Sequence, residues 1–196
     1  MMRRDIQIIK KPEWVSWDEI KQCLYAAHAV NRTKGVNMTH YQWSADRIKD
    51  LLGEKGVMLV ALDGNQVVGT AAICERIGRA WYASGRYAYM CFAGVLPEYS
   101  GQGIYKALIT ERERIAKDSG LDVLLMDTHY RNRLVQNIAK KNGYRYVRFF
   151  RASSKDHYCV VMVKWLKGCP FSEYYCYRSF WVSKIKTIIV TFFHFR

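Results

Sequence analysis

"VLPEYSGQGIYKALI", residues 95–109, passes from a strand pattern to a helix pattern across two glycines. An apolar run closes on Pro97, which cannot continue a strand ladder. Gly101 and Gly103 follow, one residue apart, and a helical pattern begins at once. Glycines at such a turn let the backbone bend tightly and come close to a ligand. A helix that starts there points unpaired N–H groups and partial positive charge at whatever occupies the site, which suits a phosphate group. Taken alone, the stretch also fits an ordinary strand–turn–helix connection.

The flanking segments alternate between strand and helix patterns. "GRYAYMCFAGVL" (85–96) leads into the loop as a strand, and "GIYKALITERERIAKDSG" (103–120) leaves it as a helix with Ile104, Ala107, Leu108 and Ile115 on one face. "LDVLLMDT" (121–128) is an apolar strand of the buried type, and "NRLVQNIAKKNG" (132–143) is a helix ended by Gly143. "YRYVRFFRA" (144–152) and "DHYCVVMVKWL" (156–166) read as strands. Upstream, "DIQIIKK" (5–11) is a short strand. "SWDEIKQCLYAAHAV" (16–30) is a helix with Ser16 and Glu19 at capping-box spacing, and "SADRIKDLLGEKG" (44–56) is a helix capped by Ser44. "VMLVALDGNQVVGTAAICE" (57–75) is a hairpin turning at Asp63-Gly64. The expected class is α/β (α+β mixed), with a central mixed sheet of about seven strands flanked by about four helices.

This order of elements, together with Val95-x-Pro97 and the six loop positions Ser100, Gly101, Gln102, Gly103, Ile104 and Tyr105, resembles the GNAT family of acyl-CoA-dependent N-acyltransferases. Asn132 and Gly143-Tyr144 keep the spacing of that family's next motif. The resemblance covers roughly residues 1–166, with its specific motifs in 90–146. It implies that Ser100–Tyr105 and Asn132 hold coenzyme A, and that the backbone at Ala93 and Val95 lies along the pantetheine arm and the thioester. Acetyl-CoA is the implied acyl donor. Two positions depart from the pattern. Ser100 stands where an Arg or Gln is usual, and Tyr105 where a small residue is usual. The tyrosine that commonly reprotonates the leaving thiolate is replaced by Ala139.

Amide formation from a thioester requires a deprotonated amine, a steadied oxyanion and a competent leaving group. For the base, the chain offers Tyr87 early on the strand before the loop, Glu75 on the neighbouring strand and His129 after the next one. A histidine titrates near about 6.5 and suits the task, whereas an ordinary tyrosine, near about 10, suits it poorly. Each also has a plain structural reading, and a chain of waters is a further route. Cys91 reads as a small apolar filler rather than a nucleophile.

The bulk composition sets limits. The chain has 196 residues, half of them hydrophobic, enough for one domain with a real core. Six cysteines occur without a C-x-x-C pair or zinc spacing, so no metal is expected. "MMRRDIQIIKKPEW" lacks the apolar run of a secretory signal, and a cytoplasmic protein with free thiols is expected. The net charge of +14 is concentrated at one end. Residues 1–130 carry 17 Lys/Arg against 15 Asp/Glu, and residues 131–196 carry 14 against Asp156 and Glu173. No recognition-helix or base-stacking motif accompanies this charge, so nucleic acid is not an expected partner. Instead it favours a small amine acceptor carrying an anionic group, such as an amino sugar. A protein amine is the alternative acceptor, and a non-catalytic CoA-binding or interaction module is the alternative outside enzymes.

Residues 167–196 form a separate extension, where aromatics mix with Lys184, Lys186 and Arg196. Its longest uncharged apolar run, Thr187 to Phe195, is too short to span a bilayer. The expectations for it are a terminal helix docked on the core or on a second copy in a homodimer, or peripheral contact with the inner membrane surface.

Overall fold

The computed structural model describes residues 6–36, 43–152 and 157–193. Among them are seven strands and six α-helices, which matches the expected strands and adds two helices. The chain forms two compact units, residues 1–76 with 88–121, and residues 77–87 with 122–196.

The first unit carries β1 (Ile6–Lys10), β2 (Val57–Asp63), β3 (Gln66–Ala80, to Arg76) and β4 (Ala83–Val95, from Ala88), adjacent in that order. β1 and β2 are antiparallel, from Ile6 opposite Asp63 to Lys10 opposite Leu59. β2 and β3 form the expected hairpin, with Asp63 facing Gln66 across Gly64-Asn65, and Gly64 at φ 56°. Eight successive residues of β3, Val67–Cys74, are buried. No alternation survives there because helices cover the sheet. Ile20, Cys23 and Leu24 of α1 (Trp17–Ala27), Ile48 and Leu52 of α3 (Ala45–Leu52), and Ile104 and Leu108 of α4 (Ile104–Asp118) share one core with β2 and β3.

The helix starts were legible. At α1 the Ser16 hydroxyl accepts from the Glu19 N–H at 3.1 Å, and the Glu19 carboxylate accepts from the Ser16 N–H at 2.7 Å. These bonds hold the Glu19 carboxyl below its usual pKa. One helix expected over 16–30 is in fact two. His28, at φ −101° and ψ 12°, separates α1 from α2 (Ala29–Thr33).

β3 also runs further than expected, to Ala80, so Glu75 lies inside the strand rather than at its end. The far part of the β3–β4 hairpin belongs to the second unit. There a side chain at Gly78 would meet the Ala83 carbonyl at 2.2 Å and the Tyr87 ring at 2.9 Å, so only glycine lets the two strands pass this closely.

The second unit also holds β5 (Val123–His129), α5 (Arg133–Lys141), β6 (Arg145–Arg151), β7 (Tyr158–Trp165) and α6 (Glu173–Phe193). β7 lies between β5 and β6 and is antiparallel to both. β6 is therefore an edge strand, and α6 lies along it. The Phe149 N–H donates to Ser183 Oγ at 2.8 Å, and the Phe149 carbonyl accepts from Thr187 Oγ1 at 3.3 Å. Hydroxyls one turn apart thus stand in for a missing neighbouring strand.

Replacing Ser16 by Ala removes the hydroxyl that accepts from the Glu19 N–H and leaves the backbone half of the capping box in place. The expected loss is about 1 kcal/mol of stability, read as a lower urea midpoint at unchanged slope.

Candidate functional site

β4 departs from a regular strand at Phe92. Its φ is 49°, the left-handed region, and Phe92 is the only non-glycine residue there among the described residues. Such a residue costs roughly 1–3 kcal/mol and persists only where surrounding contacts hold it. Three hold this one. Thr70 Oγ1 donates to the Phe92 carbonyl at 3.0 Å, His28 Nε2 donates to the Ala93 carbonyl at 3.1 Å, and the Phe92 ring meets the edge of Trp43 at 6.0 Å. Because a carbonyl can only accept, the His28 proton sits on Nε2, and Nδ1 accepts from the Asn31 amide at 3.1 Å. Burial pushes the His28 pKa down to about 4, so the ring is neutral. Gly94 completes the arrangement, since a side chain there would meet Ala27 Cβ at 2.7 Å. Along β4, Tyr87, Tyr89, Cys91, Ala93 and Val95 are only partly buried while Ala88, Met90, Phe92 and Gly94 between them are buried, the alternation that the sequence implied.

Beyond Val95 the Leu96 N–H bonds the Val68 carbonyl at 2.9 Å. One 3-10 turn follows, Pro97–Tyr99, tied back by the Tyr99 hydroxyl donating to Asp63 Oδ2 at 2.8 Å. Gly101 and Gly103 then take φ 79° and 80°. Space is open where a Cβ would stand at either, so conformation rather than crowding selects glycine. The consequence is a row of donors. No backbone carbonyl among the described residues accepts from the N–H groups of Gly101 through Lys106, and helix bonding resumes with Ala107 onto Gly103. Gln102 adds a buried side-chain oxygen with no hydrogen-bond partner among the described residues. Gly103, Ile8, Lys106, Ala107, Thr110 and Glu111 line an adjoining cavity of about 440 Å³.

Tyr105, the bulky departure in the loop, reaches inward. Its hydroxyl bonds Arg112, and burial raises its pKa while that cation opposes the rise. Arg112 is only 2% exposed, and its guanidinium also donates to the carbonyls of Leu108 and Ala72. Cys91 is hydrogen-bonded to Cys74, which together with burial pushes its thiol well above the usual range. A thiol so held is a poor nucleophile.

The first unit thus brings together Ala93, Val95 and Ser100–Tyr105, with Glu75 half-buried on β3. Tyr87, His129 and Asn132 belong to the second unit. His129 is 3% exposed; its Nδ1 accepts from the Arg131 N–H at 3.2 Å, and its ring lies 5.3 Å from His157. Asn132 caps α5, accepting from the Val135 N–H at 3.4 Å and donating to Thr128 Oγ1 at 3.3 Å. Gln136 is fully buried and binds the His129 and Tyr130 carbonyls. Ala139 is buried, with no acid in its place. No group of three or more His, Cys, Asp or Glu suited to a metal occurs among the described residues.

His28, Thr70, Arg112 and Gln136 escaped the sequence reading. His28 carried one usable signal, a polar residue continuing the apolar spacing of Ile20, Cys23, Leu24 and Ala27.

The sequence pattern of the acetyltransferase (GNAT) family matches residues 17–144. No curated protein matches the chain. Solved structures with the same fold include an acetyltransferase from Streptococcus agalactiae, 15% identical, with 84% of this chain and 100% of that one aligned at a TM-score of 0.64. The ribosomal-protein-S18-alanine N-acetyltransferase from Escherichia coli is 14% identical over 84% of this chain and 96% of that one, at 0.62. A GNAT family acetyltransferase from Elizabethkingia anophelis, with acetyl-CoA bound, is 14% identical over 84% and 100%, at 0.59.

The neutral His28 makes stability depend on pH. The unfolded chain takes up a proton near 6.5 that the folded chain resists down to about 4. The contribution is complete above 6.5 and is lost as pH falls through that window, at about 1.4 kcal/mol per pH unit. In urea unfolding, the parent is expected to weaken more steeply across the window than His28→Gln, which keeps a donor and does not titrate. Parallel profiles would show that His28 is not buried neutral.

Proposed function

The chain belongs to the acetyltransferase (GNAT) family, and from that premise we propose that it transfers the acetyl group of acetyl-CoA to the primary amine of a small acceptor bearing an anionic group. The residues present fit the donor. The N–H groups of Gly101–Lys106, which bond no backbone carbonyl among the described residues, lie at the positive end of α4, an arrangement suited to pyrophosphate. Acetyl-CoA supplies an activated acyl group. The chain's part is to hold it, to present polar groups where charge develops, and to take a proton from the amine.

In this reading Ser100–Tyr105 hold the phosphates and Asn132 contributes from the start of α5. The backbone of Ala93 and Val95 lies beside the thioester arm. Since the Ala93 carbonyl is turned onto His28, His28 and Thr70 act as positioning residues for this part of β4. Glu75, Tyr87 and His129 are the proposed proton-handling groups. His129 would act through Nε2, because Nδ1 is already accepting.

The observation that carries the acceptor class is charge. Among its described residues the second unit has 14 Lys/Arg and three acids, Asp122, Asp127 and Glu173. Of these, Asp122 pairs with Lys167 at 2.7 Å, and Asp127 faces His157 and Cys159. Such a field repels polycationic amines and draws in phosphorylated or carboxylated ones, most strongly at low salt.

Two measurements test the reading. Gly103→Glu puts a carboxylate on the row of donors, and acetyl-CoA affinity is expected to fall by roughly a hundredfold. If the variant, still folded by circular dichroism, binds as tightly as the parent, the loop is not the phosphate site.

For the acceptor, a competition at low ionic strength offers a nucleotide-linked amino sugar against spermine, an aminoglycoside and a peptide with a free N-terminus. Preference for the amino sugar, weakening as salt is added, is expected. Preference for a polycation or for the peptide overturns the acceptor class and leaves acetyl transfer intact.

A further inference from the structure

α6 is amphipathic in the unusual sense, with its polar stripe inward. Ser183, Thr187 and Thr191 recur every fourth residue and face the sheet. Ser183 and Thr187 bond the Phe149 backbone, and the Thr191 hydroxyl lies 3.4 Å from that of Tyr158. Phe180 on the same side packs 5.1 Å from Tyr146, and Cys176 is buried. Once the hydroxyls are used to close the sheet edge, helical geometry turns the remaining apolar residues outward.

The result is a continuous exposed ridge. Ile185, Ile188 and Ile189 keep 54%, 51% and 48% of their surface in contact with solvent, and Trp181 keeps 39%. Tyr174 and Tyr177 extend the ridge toward the helix start and are more exposed still. Isolated exposed apolar residues need no explanation, but a contiguous stripe of large ones along a helix does.

Cations frame the ridge. At about 100° per residue, Lys184 and Lys186 fall on its two flanks and Arg178 lies within it. The Lys184 ammonium sits 4.5 Å over the Trp181 ring, its stem covering apolar surface. Glu173, at the very start, is the only acid of α6. A second copy laid ridge to ridge would bring these cations against their own kind with nothing to offset them. An anionic surface matches both features at once, charge for the flanks and hydrocarbon for the ridge. Tyrosine and tryptophan along the ridge suit the headgroup boundary, where one end of the ring is apolar and the other wet. No helix among the described residues is long and apolar enough to cross a membrane.

We propose that α6 docks the protein onto an anionic lipid bilayer, lying in the plane of the headgroups with Trp181, Ile185, Ile188 and Ile189 inserted and Lys184 and Lys186 on the lipid phosphates. The proposal does not depend on the identity of the acceptor.

The test is flotation of the whole chain with vesicles of phosphatidylcholine alone or mixed with phosphatidylglycerol. Binding to the mixed vesicles at low salt, loss at high salt and little binding to phosphatidylcholine are expected. The double variants Ile185→Ser with Ile189→Ser, and Lys184→Gln with Lys186→Gln, are each expected to lower partitioning by roughly tenfold or more. Ile185, Lys186 and Ile189 are exposed, and Lys184 rests on the Trp181 and Phe149 rings, so melting temperature and acetyl-CoA binding should stay close to parent values, which separates lost docking from lost folding. Absence of binding to mixed vesicles, equal binding to both vesicle types, or parent-like binding by either double variant overturns the proposal. So does a dimer in solution that the isoleucine variant dissociates while vesicles are ignored; in that case the ridge belongs to a second copy.

Discussion

Phe92 in the left-handed region is the constraint around which the first unit is arranged. A strand that kept regular geometry through this point would offer both backbone groups of each residue to its neighbours. Here the carbonyls of Phe92 and Ala93 are instead taken by Thr70 and His28, one from the adjacent strand and one from the break between α1 and α2. The helix break is thus part of the same device, because an unbroken helix over 16–30 would not place His28 at the end of α1. Gly94 must be small for the same reason, as α1 comes within contact distance of the backbone there. One local distortion accounts for a kinked helix, a glycine, a buried hydroxyl and a neutral histidine.

From that point the chain reaches the glycine loop within a few residues, and the loop's chemistry is of the opposite kind. The strand distortion is closed by hydrogen bonds, whereas the loop leaves them open. Six consecutive N–H groups with no backbone acceptor among the described residues would be costly if they were buried against apolar surface. At the positive end of a 15-residue helix they are instead the donors proposed to hold the phosphates. Tyr105 illustrates how the two requirements are reconciled. Its side chain is bulky, but its hydroxyl is drawn inward to Arg112. Arg112 in turn spends its donors on Leu108, Ala72 and Tyr105, so a cation sits within the core with several of its hydrogen bonds made to neutral oxygens.

The second unit follows a different economy. Its edge strand is covered by a helix that donates hydroxyls rather than packing leucines, and the charge of the chain collects here. Its three described acids stand against 14 Lys and Arg, so the positive field is barely offset from within. Both the acceptor class and the membrane surface proposed for α6 draw on that field. The membrane surface uses the cations of α6 itself, whereas the acceptor class rests on the charge of the whole unit.

Features set by neighbours a few residues apart were legible in the sequence. The Ser16–Glu19 capping box, the Asp63-Gly64 hairpin, the two loop glycines and the alternation of Tyr87, Tyr89 and Cys91 each depend on an i to i+2 or i+3 relation, and the structure keeps all four. The same is true of the order of elements, since hydrophobic period separates strand from helix without reference to the rest of the chain. What the sequence could not decide is which polar residue turns inward. His28 meets Ala93 across 65 positions, Thr70 meets Phe92 across 22, and Ser183 meets Phe149 across 34. A histidine in a helix or a serine among aromatics has the same local pattern whether it faces water or a carbonyl. Only the approach of a second segment supplies the acceptor that makes burial favourable, and that approach also determined that α6 would show its apolar side to solvent.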